Sequence, residues 1–148
     1  MLLCRRIIPK HPSRAFVGSA AIAALCLLLG GCSGVLGLDG WVVKGAGDVS
    51  TFAPLDSEPD WSKPPENALG GVRVELWTRD GSLKVDGIES TSNGYFDVGH
   101  VGTDPYEHGE DFLLKVSADG YKPLSVPVTL PVGEIRYGLI TLVPEEEP

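Results

Sequence analysis

Beyond residue 32 the chain contains no cysteine; its three are Cys4, Cys26 and Cys32. That excludes a disulfide framework, a thiolate nucleophile and a cysteine metal site from everything that follows. Basic charge is scarce as well, with 12 Lys and Arg against 20 Asp and Glu. Four of the basic groups, Arg5, Arg6, Lys10 and Arg14, lie in the first 14 residues, so the part from Cys32 onward keeps eight against 20 acidic, a net charge near −12. Such a surface repels nucleic acid and anionic lipid. Capped helical periodicity is missing after residue 32. No apolar run reaches the roughly 18 residues of a membrane-spanning helix.

The first 31 residues supply what the rest lacks. They carry no acidic side chain, and Ala15 to Leu29 is apolar apart from Gly18 and Ser19. A basic start, a short apolar run and a small-residue junction are the parts of a secretory signal peptide. A buried core helix would need a polar face, which this run does not have. The run ends in Leu29-Gly30-Gly31-Cys32. This resembles the lipobox of bacterial lipoproteins: a Leu, two small residues and a Cys. The resemblance implies a diacylglycerol on the thiol of Cys32, removal of residues 1–31, and acylation of the new amino terminus. One acyl chain holds a protein only marginally at a membrane, whereas two or three hold it stably. Arg5-Arg6 invites a twin-arginine reading, but Pro9 and Lys10 follow too soon, which favours the ordinary secretory route. In such lipoproteins an Asp after the Cys tends to mean retention in the inner membrane. Ser33 stands there instead, which favours an outer or outward-facing membrane surface.

The 117 residues from Cys32 to the end suffice for one domain, which must be stable from its core alone. Residues 32–37 read as a lipidated terminus and spacer, 38–143 as the domain and 144–148 as an acidic tail. Leu38 to Val43 is the expected first strand. Residues 44–69 hold Pro54, Pro59, Pro64 and Pro65 among acidic residues and read as a long surface loop, with Phe52 and Trp61 partly docked on the body. Val72 to Trp77 alternates strictly, with Val72, Val74 and Leu76 inward and Trp77 outward. Asp80-Gly81 is a turn, and Asn93-Gly94 reads as a hairpin turn leading into Tyr95 and a buried Phe96 and Val98. His100 to Asp111 reads as a second loop. Phe112 to Ala118 and Leu124 to Leu130 alternate again, the second with Pro127 outward, as on an edge strand. In the last strand the alternation changes parity at Gly138, which suggests a bulge there. The expected fold is all-β: a single antiparallel Greek-key β-sandwich of about seven strands.

At this point the residues carry a second likeness. Gly71-Val72-Arg73-Val74-Glu75-Leu76, Thr91 to Val98, and Leu114-Lys115-Val116-Ser117-Ala118-Asp119-Gly120-Tyr121 resemble, in order, three motifs of carboxypeptidase regulatory-like domains, which are transthyretin-like β-sandwiches. The likeness covers roughly Leu38 to Val143, and the 44–69 insertion departs from it. It implies a non-catalytic module. The Tyr-Arg-Gly-Ser terminus of the transthyretin relatives that hydrolyse 5-hydroxyisourate is replaced here by Glu145-Glu146-Glu147-Pro148.

Two constellations remain. Trp77, Tyr95 and Trp61 are candidates for a surface that stacks on sugars or on a partner protein, unless the Phe52 and Trp61 loop covers Trp77. His100, Asp104 and His108 could ligate a metal, in the company of Glu110 and Asp111, although a solvated acidic loop accounts for them as well. The expected function is that of a lipid-anchored structural or interaction module at the cell envelope. A carbohydrate- or peptidoglycan-binding module is the alternative, and a small metal-dependent enzyme stands behind both. No cofactor is expected beyond the covalent lipid on Cys32. The expected partners are the membrane, through that anchor, and an envelope protein or glycan.

Overall fold

The computed structural model describes residues 34–102 and 109–145. The described chain is all-β, with strands β1 (Gly34–Lys44), β2 (Thr51–Leu55), β3 (Arg73–Thr78), β4 (Lys84–Glu89), β5 (Tyr95–Gly102), β6 (Glu110–Ser117), β7 (Leu124–Leu130) and β8 (Ile135–Leu142). They form two four-stranded sheets, ordered β2-β8-β1-β5 and β4-β3-β6-β7. The sheets pack as a β-sandwich, as alternation demands: most strands turn one apolar row inward. Leu36, Leu38, Val42, Phe96 and Ile140 from the first sheet meet Val74, Leu76, Phe112, Leu114 and Leu130 from the second, all at most 3% exposed. Each such side chain contributes about 1.5–3 kcal/mol on leaving water, the main term for a domain without cross-links.

Several expectations need correction. β1 begins at Gly34 rather than Leu38, and Leu36 is fully buried, so the expected spacer is mostly strand. The 44–69 loop contains a strand: β2 pairs antiparallel with β8, Phe52 opposite Ile140. That loop is fastened where it leaves and returns. The Lys44 N–H donates to the Asn67 carbonyl at 2.8 Å, and the Asn67 side-chain amide donates to the Lys44 carbonyl at 2.6 Å. The expected second loop is shorter than expected, because β5 runs to Gly102 and β6 starts at Glu110.

The sandwich is also not purely antiparallel. β1 and β8 run parallel, with Gly37 opposite Ile135 and Trp41 opposite Leu139. Their register is continuous through Gly138, so no bulge exists there. Gly138, Ile140 and Leu142 share the inner face, while Ile135 and Tyr137 point out. Gly138 is small because the Phe52 ring lies on it: a Cβ at Gly138 would come within 2.3 Å of that ring.

Asn93-Gly94 is a genuine turn but joins no hairpin, because β4 lies in the second sheet and β5 in the first. Gly94 takes φ +80°, and its carbonyl accepts from the Val42 N–H at 2.8 Å, which ties the crossing to β1. The real hairpins are β3–β4, with Asp80-Gly81 at the tip, and β6–β7, with Asp119-Gly120. Pro127 does lie on an edge strand, exposed, where no ladder donor is required.

Candidate functional site

Three strands and one loop assemble a cleft on the outer face of the first sheet. Leu38 and Val42 point inward, so Asp39 and Trp41 between them point out. Register sets Asp97 of β5 directly across from Asp39, and Tyr137 of β8 on its other side. One step along, Tyr95 lies across from Trp41. The loop after β2 then brings Trp61 onto this face. Its ring centroid is 5.4 Å from that of Trp41, 5.1 Å from Tyr95 and 6.0 Å from Tyr137. These tilted and edge-on contacts are the attractive arrangements for aromatic rings. They leave Trp41 only 4% exposed, although it points away from the core. The indole Nε1 of Trp61 donates to Glu58 Oε1 at 2.7 Å, which fixes the ring's orientation.

Beside these rings opens a cleft of about 450 Å³. Trp41, Trp61 and Tyr95 supply its apolar walls, and Asp39 and the Thr91-Ser92-Asn93 turn supply its polar groups. The turn is held by its own hydrogen bonds: the Gly94 N–H donates to the Thr91 carbonyl at 2.8 Å, and the Tyr95 N–H to Thr91 Oγ1 at 3.1 Å.

The cleft is electronegative. Burial raises the Asp39 pKa above the usual carboxylate value, the charges of Asp97 and Glu58 raise it further, and the Tyr95 hydroxyl opposes them. Burial likewise raises Tyr95, followed by the charges of Asp39 and Asp97. Tyr137 moves up for the same kinds of reason, with Glu58 and Asp39 as the charges. The ion pairs among the described residues are Lys63–Asp60, Arg79–Asp111 and Lys84–Glu75; none neutralises Asp39, Asp97 or Glu58. Aromatic walls with carboxylate and amide acceptors suit a ligand that has apolar C–H faces and hydroxyl donors.

Of the residues expected at a binding surface, Trp61 and Tyr95 do meet here. Trp77 does not. It lies on the outer face of the other sheet, with Lys115 Nζ 3.9 Å above its ring and its Nε1 donating to Glu75 Oε2 at 3.1 Å. The expected cover of Trp77 by Phe52 and Trp61 is therefore wrong: Phe52 lies against Gly138 in the first sheet, and Trp61 on that sheet's outer face. Trp41, Tyr137 and Asp39 were not anticipated. The Asp39-x-Trp41 spacing on one strand face was the signal available for two of them. Tyr137 was obscured by the false parity change at Gly138.

His100, expected as a metal ligand in a loop, sits in β5 opposite Leu36, its ring 6.1 Å from Phe112 and edge-on to it. Asp104, His108 and Cys32 lie outside the described residues. Among the described residues no group of three or more His, Cys, Asp or Glu is placed to hold a metal ion.

Neither a protein-family model nor a curated protein matches the chain. Solved structures do. The minor pilin GBS52 of Streptococcus agalactiae is similar at a TM-score of 0.51 and 20% identity, over 78% of this chain and 47% of the pilin. The 3-chlorocatechol 1,2-dioxygenase of Rhodococcus opacus 1CP is similar at 0.46 and 12%, over 79% and 62%. The dioxygenase domain of a dioxygenase carbohydrate-binding protein fusion from Streptomyces sp. SirexAA-E is similar at 0.43 and 13%, over 80% and 84%. The chain thus spans about half of the pilin and under two thirds of the first dioxygenase. At these identities the likeness establishes a β-sandwich and nothing about activity.

Proposed function

We propose that this protein is an exported lipoprotein, anchored through acyl chains on Cys32, whose β-sandwich acts as a non-catalytic interaction module at the cell envelope. The observation that carries this reading is Leu29-Gly30-Gly31-Cys32 standing two residues ahead of Gly34, where β1 begins. A lipobox is useful only if a folded cargo follows it, and here the cargo starts at once. The resemblance to carboxypeptidase regulatory-like domains supports the non-catalytic part. Intact-mass spectrometry of membrane-extracted protein, beside Cys32→Ser, tests the anchor. A mass that begins at Cys32 and carries added acyl chains is expected, and the variant should leave the membrane fraction. An unacylated protein cut elsewhere would sink the proposal.

The aromatic cleft favours a second reading in which the module binds carbohydrate. Ring walls stack on sugar faces, and Asp39 with the Thr91–Asn93 turn accepts and donates hydrogen bonds to hydroxyls. Soluble peptidoglycan and polysaccharide fragments, titrated by NMR, should shift the signals of Trp61, Tyr95 and Asn93. Trp61→Ala should abolish saturable binding, and Trp77→Ala on the opposite face should leave it intact. Binding that survives Trp61→Ala, or that is lost with Trp77→Ala, would reject the cleft.

A further inference from the structure

The outer face of the first sheet has a second feature at the start of β1, two residues along β8 from Tyr137. Val35 is 58% exposed, Val101 57% and Ile135 47%, which makes up half of the large, well-exposed apolar side chains among the described residues. They are neighbours. Val35 and Val101 are directly opposed across β1 and β5, and Ile135 of β8 is opposed to Gly37. The Ile135 side chain leans over Gly37, where an added Cβ would meet its Cγ1 at 3.4 Å. Gly37 is itself opposed to Gly99. Between the three apolar residues the sheet therefore carries no side chain that would hold an approaching surface away. The Gly133 N–H donates to the Val35 carbonyl at 3.0 Å, so the turn before β8 braces this corner.

Apolar side chains grouped this way on one face usually mark a contact. The chain itself indicates with what. Val35 is the third residue after Cys32. Three residues span at most about 11 Å fully extended. An acylated Cys32 would thus hold the start of β1 within about one strand-width or two of the lipid headgroups. No long tether lets the domain drift off, and no cysteine other than Cys32 is available from there on to take a lipid.

We propose that the Val35–Val101–Ile135 patch rests on the bilayer surface and sets the orientation of the domain, so that the second sheet and the far end of the first face away from the membrane. This rests on the lipoprotein reading above and adds to it the face that meets lipid. Glu134 and Arg136, both exposed, flank Ile135 in the chain, so the charge beside the patch is balanced and the contact is carried by the apolar side chains.

The acyl chains alone bind the protein, so membrane partitioning does not report on the patch; orientation does. The test uses the mature, membrane-extracted protein in phosphatidylcholine nanodiscs that carry a gadolinium-chelating lipid. Its mass is read first. With acyl chains present, the amide signals of Val35, Val101 and Ile135 should be lost while those of Trp77 and Glu89 persist. The double variant Val101→Glu/Ile135→Glu should retain its fold and its acyl chains, since both positions are exposed, and should recover those signals. An acylated protein with uniform broadening, or with its strongest loss at Trp77, would overturn the proposal and leave the anchor standing. Contacts between two copies across Val101 would also overturn it, by assigning the patch to a second protomer. A mass without acyl chains would remove both.

Discussion

Ser90 is the buried polar residue of the described core, 4% exposed, and it works at a crossing between the two sheets. Its Oγ accepts from the Val72 N–H at 3.0 Å and donates to the Leu69 carbonyl at 2.9 Å. Its own N–H donates to the Val72 carbonyl at 2.8 Å. One hydroxyl therefore satisfies two backbone groups that have left the ladders. Ser90→Ala should cost about 1–3 kcal/mol, the penalty for stranding buried polar groups. Urea unfolding measures it, and a loss below about 0.5 kcal/mol would contradict the assignment. Asp39 makes the opposite case. Its carboxylate is desolvated and faces Asp97 directly, which destabilises the charged form. Because its folded pKa lies above the unfolded value, its favourable contribution is present below pH 3.8 and is lost as pH rises through the folded pKa. Asp39→Asn should therefore raise the melting temperature at pH 7, and the advantage should vanish below pH 3.8. If the cleft binds sugars, the same variant should bind them more weakly, the usual conflict between stability and a charged site.

At the scale of elements, the first sheet depends on two glycines in register, Gly40 of β1 and Gly138 of β8. They are not equivalent. A Cβ at Gly40 would fall 2.0 Å from the Gly138 carbonyl oxygen, so the two strands would have to separate. A Cβ at Gly138 meets only the Phe52 ring, which can move. Gly40→Ala should cost more than about 3 kcal/mol, and Gly138→Ala about 1–3 kcal/mol, the usual range for an overpacked core. Phe52→Leu should restore part of the loss in Gly138→Ala and none in Gly40→Ala; equal rescue of both would mean that the backbone clash is not what matters. The 44–69 segment belongs to the same scale. Its composition indicated a chain without a regular partner, yet β2 completes the first sheet and Trp61 covers Trp41.

For the whole molecule the decisive contact is β1 against β8, strands from opposite ends of the domain. Every other pairing in the first sheet hangs from these two, since β2 joins through β8 and β5 through β1. Ending the chain at Glu134 should leave no cooperatively folded domain, as judged by NMR dispersion and urea unfolding. Ending it after Glu145 keeps the bond from the Glu145 N–H to the Gly120 carbonyl at 2.9 Å and should leave the unfolding midpoint unchanged. A stable fold in the shorter protein would show that the pairs remaining without β8 suffice. With its two ends paired to each other, a contact of long sequence separation, the domain should also fold in milliseconds to seconds rather than microseconds.

The sequence by itself determined the period of most strands, β2 and β8 excepted, the inward rows from Val72 to Leu130, the turns at Asp80-Gly81 and Asp119-Gly120, and hence the all-β sandwich. These are local matters: a two-residue period and a positive-φ glycine are written in adjacent residues. It also indicated that Trp61 and Tyr95 belong on a surface. What the tertiary structure alone decided was adjacency. Alternation says which face a side chain takes, not which strand lies beside it, because any strand's backbone can complete another's ladder and cross-strand side-chain pairs bias the choice only modestly. Asn93-Gly94 looked like a hairpin and proved to be a crossing, and Trp77 looked like a neighbour of Tyr95 and lies on the other sheet. Only the parallel pairing of β1 with β8 could bring Tyr137 beside Asp39, and only the return of the 44–69 loop could close Trp61 over them.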